Sequence, residues 1–193
     1  MNAEHTSRIT HRKNALHDVC SKILQAPVSF VWEIGSGHGH FLTKYATDHP
    51  TQNCIGIDIV LDRVRRAERK RERACLENIH FLHADARDFV EVMPAEARLS
   101  AVYMLFPDPW PKRRHHKNRL LEPVFLGAVA KRAGQGMPFY FRTDHTPYFE
   151  EAKATFAEHP DWKIRLKTEW PFDMATVFQQ KAAAYHSLVA ERK

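Results

Sequence analysis

Acidic side chains stand at or near the ends of three apolar stretches in this sequence, and the first stretch runs directly into a cluster of glycines. The three acids are Glu33, Asp58 and Asp85, and the clustered glycines are Gly35, Gly37 and Gly39. Glycine permits positive φ, so a ligand can lie against bare backbone there. A carboxylate at the end of a neighbouring strand can accept hydrogen bonds from both hydroxyls of a ribose. Together these residues favour a nucleoside-binding site.

The spacing of the glycines distinguishes between two kinds of nucleoside cofactor. A dinucleotide fingerprint has the spacing G-x-G-x-x-G, whereas this chain has His40 at the position of the third glycine. G-x-G-x-G with an acid two residues before it, here Glu33, is typical instead of Rossmann-like S-adenosylmethionine (AdoMet) methyltransferases. Asp58 follows the glycines by about 20 residues, where the ribose-binding acid is expected. Asp85 could accept from an adenine amino group, or it could be only a helix N-cap.

A second group of chemically capable side chains follows the apolar run 101–106. Prolines at 107, 109 and 111 surround Asp108 and Trp110, and the cationic run 112–119 comes next. Because proline fixes φ and lacks an N–H donor, a helix and a strand must both end here, and the loop is stiff. At the carboxyl edge of an open α/β sheet, Asp108 and Trp110 could face a flat, partly charged substrate while Lys112 and its basic neighbours hold a polyanion. A stiff turn with a solvated basic tail is the alternative.

Composition predicts one domain with an anionic partner. The 193 residues are 44% hydrophobic, enough for a real core, and the formal net charge of +6 favours a polyanion. Cys20, Cys54 and Cys75 are widely spaced without a C-x-x-C pattern, which is typical of reduced cysteines. No stretch is apolar enough to span a membrane, and residues 1–20 lack the centre of a signal peptide. We therefore expect a cytoplasmic protein with no membrane partner.

Apolar runs alternate with helical patterns along the chain. They predict an α/β fold, a Rossmann-like doubly wound, mostly parallel seven-stranded sheet with helices on both faces and an antiparallel last strand. We expect an N-terminal helical cap over 1–28 and a single AdoMet-dependent methyltransferase domain over 29–193. A helix predicted within 61–75 is strongly cationic, either as a solvated outer face or as an accessory phosphate-contacting surface.

The proline-rich loop closely resembles the signature of one family. Residues 106–119 read F-P-D-P-W-P-K-R-R-H-H-K-N-R, and the motifs at 33–39, 55–58 and 142–144 agree with it. From about residue 30 to 180 the chain resembles the bacterial tRNA (guanine-N7-)-methyltransferases. The resemblance implies AdoMet as methyl donor, no metal, tRNA as partner and transfer to N7 of a guanine in the variable loop. It implies cofactor contacts from Glu33, Gly35, Gly37, Gly39, Asp58, Asp85 and Asp108, catalysis by Asp108, and substrate contacts from Lys112, Asp144, Thr176 and Gln179.

Gln179 departs from the family pattern. The family's T-x-F-E motif is here Thr176-Val177-Phe178-Gln179, so an amide replaces a carboxylate on the substrate side. A second hypothesis is an exocyclic-amine nucleic-acid methyltransferase, because Asp108-Pro109-Trp110 is similar to a D-P-P-Y loop. A third is a non-catalytic AdoMet- or RNA-binding relative, in which Gln179 marks lost activity. The oligomeric state is undetermined by the sequence, and a monomer is favoured.

Overall fold

The computed structural model describes residues 3–25, 28–165, 170–172 and 184–193. The strands in these ranges are β1 (Val28–Ile34), β2 (Asn53–Asp58), β3 (Ile79–His83), β4 (Ala97–Leu105), β5 (Pro138–Thr143), β6 (Trp162–Ile164) and β7 (His186–Arg192). The helices are α1 (Ala3–Ile23), α2 (His40–Asp48), α3 (Leu61–Arg73), α4 (Ala86–Val92), α5 (Pro123–Arg132) and α6 (Thr146–Glu158), with a 3₁₀ helix at Arg113–Asn118. None of these helices has the length and apolarity needed to cross a membrane.

The strands form one seven-stranded sheet in the order β3-β2-β1-β4-β5-β7-β6. Neighbours from β3 to β5 pair in parallel, whereas β7 is antiparallel to both β5 and β6. This confirms the predicted fold class and its antiparallel last strand. Strand order reverses between β1 and β4, and in open α/β sheets ligands bind beside the carboxyl ends of the strands at such a point.

Two hydrophobic layers cover the sheet and fix its carboxyl edge. On one face Trp32 of β1 packs on Phe89 of α4, with ring centroids 5.0 Å apart. On the other face Phe41 of α2 packs on Tyr103 of β4, with centroids 4.9 Å apart. Because parallel strands are buried on both faces, their sequences are mainly apolar, which is why the strands could be predicted.

Helix α1 packs on α4. Arg12 pairs with Asp88 at 2.6 Å, Lys13 pairs with Glu91 at 2.6 Å, and Cys20 is fully buried in the core. A helix is therefore present within the predicted N-terminal cap, and it covers part of one face. The boundary between a cap at 1–28 and a domain at 29–193 stays a prediction.

Helix α3 is followed, two residues after its end at Arg73, by a cysteine in the left-handed region. The N–H of Leu76 donates to the carbonyl of Arg71, and the N–H of Cys75 donates to the carbonyl of Glu72. These two bonds form a Schellman motif, whose penultimate residue requires positive φ and is usually glycine. Cys75 occupies that position with φ of 51°, so the backbone is strained there.

Candidate active site

The glycine loop between β1 and α2 requires its glycines for two different reasons. All three have positive φ, at 73°, 54° and 68° for Gly35, Gly37 and Gly39. A Cβ at Gly39 would lie 2.6 Å from the ring of Phe81, so this glycine allows α2 to approach β3. A Cβ at Gly35 or Gly37 would meet nothing within 4 Å. Bare backbone with open space beside it is suited to a ligand that lies close to the main chain.

Asp58 joins the end of β2 to this glycine loop. Its Oδ2 accepts a hydrogen bond from the N–H of Gly37 at 3.0 Å, and its Oδ1 accepts from the N–H of Val60 at 2.8 Å. Arg63 of α3 approaches the same carboxylate at 3.7 Å. The structure thus brings together Asp58 and the glycines, as the sequence predicted.

Glu33 is a buried acid with an incomplete set of hydrogen bonds. It is 4% exposed, and its Oε2 has no hydrogen-bond partner among the described residues. Burial raises the pKa of Glu33 to about 8, the backbone of Leu42 lowers it, and the charge of Asp58 raises it further. A buried carboxyl without a partner is costly, and a cationic ligand at this edge would supply the missing charge.

An apolar surface that the sequence patterns did not reveal follows Asp58. Ile59, Val60 and Leu61 are consecutive and exposed, with Ile59 64% exposed. Three exposed apolar side chains beside a carboxylate and a glycine loop offer a flat surface for an aromatic base. In the sequence, the position of these three residues directly after Asp58, the acid that ends β2, was the signal that could have indicated this surface.

Asp85 has the structural role that the sequence left open as one alternative. Strand β3 ends at His83, and the Oδ1 of Asp85 accepts a hydrogen bond from the N–H of Arg87 at 2.8 Å at the start of α4. The residue is therefore a helix N-cap. Its contact with an adenine stays a prediction, since Oδ2 is not used by the cap.

The proline-rich loop after β4 carries Asp108 between two strained residues. Phe106 and Trp110 both have positive φ, at 50° and 46°. Asp108 is exposed and forms no hydrogen bond or ion pair with any part of the chain that the structure describes. Strained backbone of this kind persists only where its surroundings fix it, and it is concentrated at functional sites.

Arg119 fixes this loop from below. Its side chain is 2% exposed, its Nε donates to the carbonyl of Pro109 at 2.9 Å, and its Nη1 pairs with Glu151 of α6. The guanidinium also lies over the ring of Tyr148, 4.8 Å from the centroid. In the sequence Arg119 is one more member of the basic run, because its burial depends on packing against α6 and is not visible locally.

The predicted substrate-side residues are only partly described. Lys112 and Asp144 are exposed, and they follow β4 and β5, which pair in parallel with Leu105 opposite Arg142. Both residues therefore stand at the same edge of the sheet as Asp108. Thr176 and Gln179 lie outside the described residues. Within the described ranges no group of three or more His, Cys, Asp or Glu side chains is arranged to hold a metal ion.

The sheet order, the glycine loop after β1 and the acid that ends β2 define a Rossmann-like methyltransferase. A family model described as "Putative methyltransferase" matches residues 27–192. The chain belongs to the tRNA (guanine-N7-)-methyltransferase family. This confirms the resemblance stated from the sequence.

Two relatives with the name tRNA (guanine-N(7)-)-methyltransferase and one solved structure illustrate the similarity. The protein of a Synechococcus strain is 38% identical over 133 residues, which cover 69% of this chain and 56% of the relative. The protein of Leptospira interrogans is 32% identical over 165 residues, covering 82% and 73%. TrmN from Thermus thermophilus has a TM-score of 0.62 at 17% identity, over 92% of this chain and 48% of that one, and supports the fold alone. The chain spans between 50% and 56% of the length of four of the curated relatives.

Proposed function

We propose that this chain transfers the methyl group of AdoMet to N7 of a guanine in the variable loop of tRNA, in the cytoplasm. The observation that carries the proposal is the position of Asp108. It is an exposed carboxylate, without a partner among the described residues, on a strained loop after β4, at the point where strand order reverses and next to the edge that carries Glu33 and Asp58. The name of the relatives supports the substrate and the target atom.

The residues at this edge fit AdoMet. The cofactor supplies a methyl group activated on a sulfonium, so the proposal includes no metal. Glu33, whose Oε2 has no partner among the described residues, would face the positive charge of the cofactor. Asp58 would accept from ribose hydroxyls, the glycine loop would lie along the aminoacyl chain, and Ile59 with its two apolar neighbours would pack on the adenine. Asp85 would hydrogen-bond the base.

Methyl transfer to guanine N7 requires mainly that the methyl donor and the N7 lone pair are aligned. N7 presents an acceptor lone pair on the major-groove edge, so no proton has to be removed before attack. Correct placement of two reactants can lower a barrier by about 7–11 kcal/mol. The buried Arg119 and the strained residues Phe106 and Trp110 hold the loop in one geometry, which favours such placement.

Asp108 would have an orienting and electrostatic role. The methylated base is cationic, so a fixed carboxylate nearby stabilises the charge that develops in the transition state. The same carboxylate can accept from the N–H donors of guanine and so select this base. Trp110 would pack on the base, while Lys112 and Asp144 would contact the guanosine together with Thr176 and Gln179.

Transfer of labelled methyl from AdoMet into bulk bacterial tRNA, with mass spectrometry of the product nucleosides, tests the proposal. We expect 7-methylguanosine. We also expect Asp108→Asn to lower kcat by about 10²- to 10³-fold, with Asp18→Asn on the exposed face of α1 as the matched control. Label in an exocyclic N-methyl nucleoside would favour the second hypothesis. AdoMet binding without transfer to any tRNA would favour the non-catalytic relative.

A further inference from the structure

Helix α3 exposes a row of arginines that form no ion pair with any residue in the described chain. The helix carries seven basic residues against three acidic ones. Four of the basic residues have partners, namely Arg63 with Asp58, Arg66 with Asp62, Arg71 with Glu68 and Lys70 with the carbonyl of His38. Arg65, Arg69 and Arg73 are exposed and form no ion pair with a described residue. We refer to these three residues as the arginine row.

The arginine row has a regular geometry. Its members stand at positions i, i+4 and i+8 of one helix, so they share a face and follow one another at about 6 Å along the axis. Like charges at this spacing repel one another within the helix. The negative end of the helix dipole stabilises the positive charge of Arg73 in the last turn. It does not stabilise the charge of Arg65, which lies in the second turn. Glu72 is the one acid at the margin of this face without a partner in the described chain.

This geometry fits a polyanion whose charges repeat along a line. Successive phosphates of a polynucleotide strand have a separation similar to the rise of about 6 Å between the three helix positions. An arginine presents a fork of donors that matches phosphate oxygens. The formal net charge of +6 and the basic run at 112–119 along the same edge favour a nucleic acid as the occupant.

The arginine row begins close to the proposed cofactor site. Helix α3 starts at Leu61, three residues after Asp58, and Lys70 binds the glycine loop through the carbonyl of His38 at 2.9 Å. Strands β2 and β4 lie on either side of β1, so the start of α3 and the loop with Asp108 stand about 10 Å apart along the same edge. An RNA strand across this edge would meet the basic 3₁₀ helix at one end and α3 at the other.

We propose that the arginine row binds the phosphate backbone of the tRNA outside the target nucleotide. This inference rests on the proposed function for the identity of the RNA. The arginine row is a docking surface for RNA. It takes no part in cofactor binding or in methyl transfer, which involve the residues at the edge of the sheet. Because Arg65, Arg69 and Arg73 are exposed and without partners in the described chain, we expect their replacement to leave the fold unchanged.

The salt dependence of RNA binding tests this proposal. The triple variant Arg65→Gln/Arg69→Gln/Arg73→Gln is compared with Lys22→Gln/Lys131→Gln/Lys153→Gln, which removes the same charge from exposed positions on α1, α5 and α6. The Kd of the full chain for an unmodified tRNA transcript is measured between about 50 and 200 mM salt. The plot of log Kd against log salt loses about 0.7–0.9 in slope for each phosphate contact removed.

The two triple variants separate a specific contact from a general effect of charge. We expect the arginine variant to lose about 2–3 in slope and the lysine variant to lose less than about 1, with the Kd for AdoMet unchanged in both. Equal slopes in the two variants would overturn the proposal and identify the row as a solvated face. Methyl transfer by the wild type is assayed in parallel, so a wild type that binds tRNA with this salt dependence and transfers no methyl would overturn the proposed function while supporting the row.

Discussion

Replacement of Glu33 by glutamine should make the cofactor-free protein more stable at neutral pH. The pKa of Glu33 rises from an ordinary 4.5 to about 8 because the side chain is buried. At pH 7 the unfolded chain carries an ionised Glu33 while the folded chain must keep the proton. With about 1.4 kcal/mol per pKa unit, this difference costs the fold about 3 kcal/mol. The amide of Glu33→Gln has nearly the shape of the protonated acid and does not titrate, so the cost disappears.

The sign of the effect follows from the two pKa values. Below pH 4.5 both states hold the proton, and Glu33 adds no pH dependence. Between pH 4.5 and 8 the unfolded state has released its proton and the folded state has not, so the wild type loses stability relative to the variant as the pH rises. The advantage of Glu33→Gln should grow from under about 1 kcal/mol at pH 5 to about 4 kcal/mol at pH 8.

Urea unfolding of both proteins at a series of pH values measures this difference. All other titrating groups are shared, so their effects cancel in the comparison at each pH. The affinity for AdoMet should fall although the stability rises, because the variant lacks the carboxylate that would face the cationic cofactor. Calorimetry should therefore show a higher Kd for AdoMet. A stability difference that stays constant from pH 5 to 8 would refute the account of Glu33 as a buried acid with a raised pKa.

Arg119→Lys keeps a cation beside Glu151 but loses the donor to the loop carbonyl. Single-turnover assays should show a rate constant for methyl transfer about 10- to 100-fold lower, with the Kd of AdoMet unchanged. A loss of stability alone would contradict the positioning role. Gly39→Ala should destabilise the fold by about 2 kcal/mol or more in urea, because its methyl would meet Phe81 at 2.6 Å. Gly35→Ala, with open space, should lose only about 1 kcal/mol, and equal losses would argue against the close packing. Cys75→Gly should relieve the left-handed strain and raise Tm by about 2–4 °C, whereas Cys75→Ala, which keeps a Cβ, should not.

The sheet and the acids at its edge are predictable from the sequence because both arise from local patterns. Strands buried on two faces are continuous apolar runs, and a chain that crosses from strand to helix at one edge must place polar residues there. Glu33, Asp58 and the glycines can therefore be grouped by their positions in the sequence alone. Asp108 can be placed at the same edge because three prolines end the strand before it.

Other features of the site depend on tertiary contacts and have no local signal. Arg119 differs from the basic residues before it only through burial against Tyr148 and Glu151, which lie about thirty residues further along the chain. The positive φ of Phe106 and Trp110 is likewise imposed by the packed surroundings, since neither residue type favours that region. The N-cap is one of two roles that the sequence allows for Asp85, and whether the residue has this role depends on where α4 starts.

Strand β7 is the last of the described strands in chain order, yet it lies between β5 and β6. While the chain is being synthesised, β5 exposes a row of unpaired backbone donors and acceptors until residues 186–192 have emerged. That edge carries Phe139, Tyr140 and Phe141, which makes it an apolar template for pairing with other chains. We therefore expect newly made protein to be prone to aggregation before β7 inserts, and chaperones that shield the edge of β5 should raise the yield of folded protein.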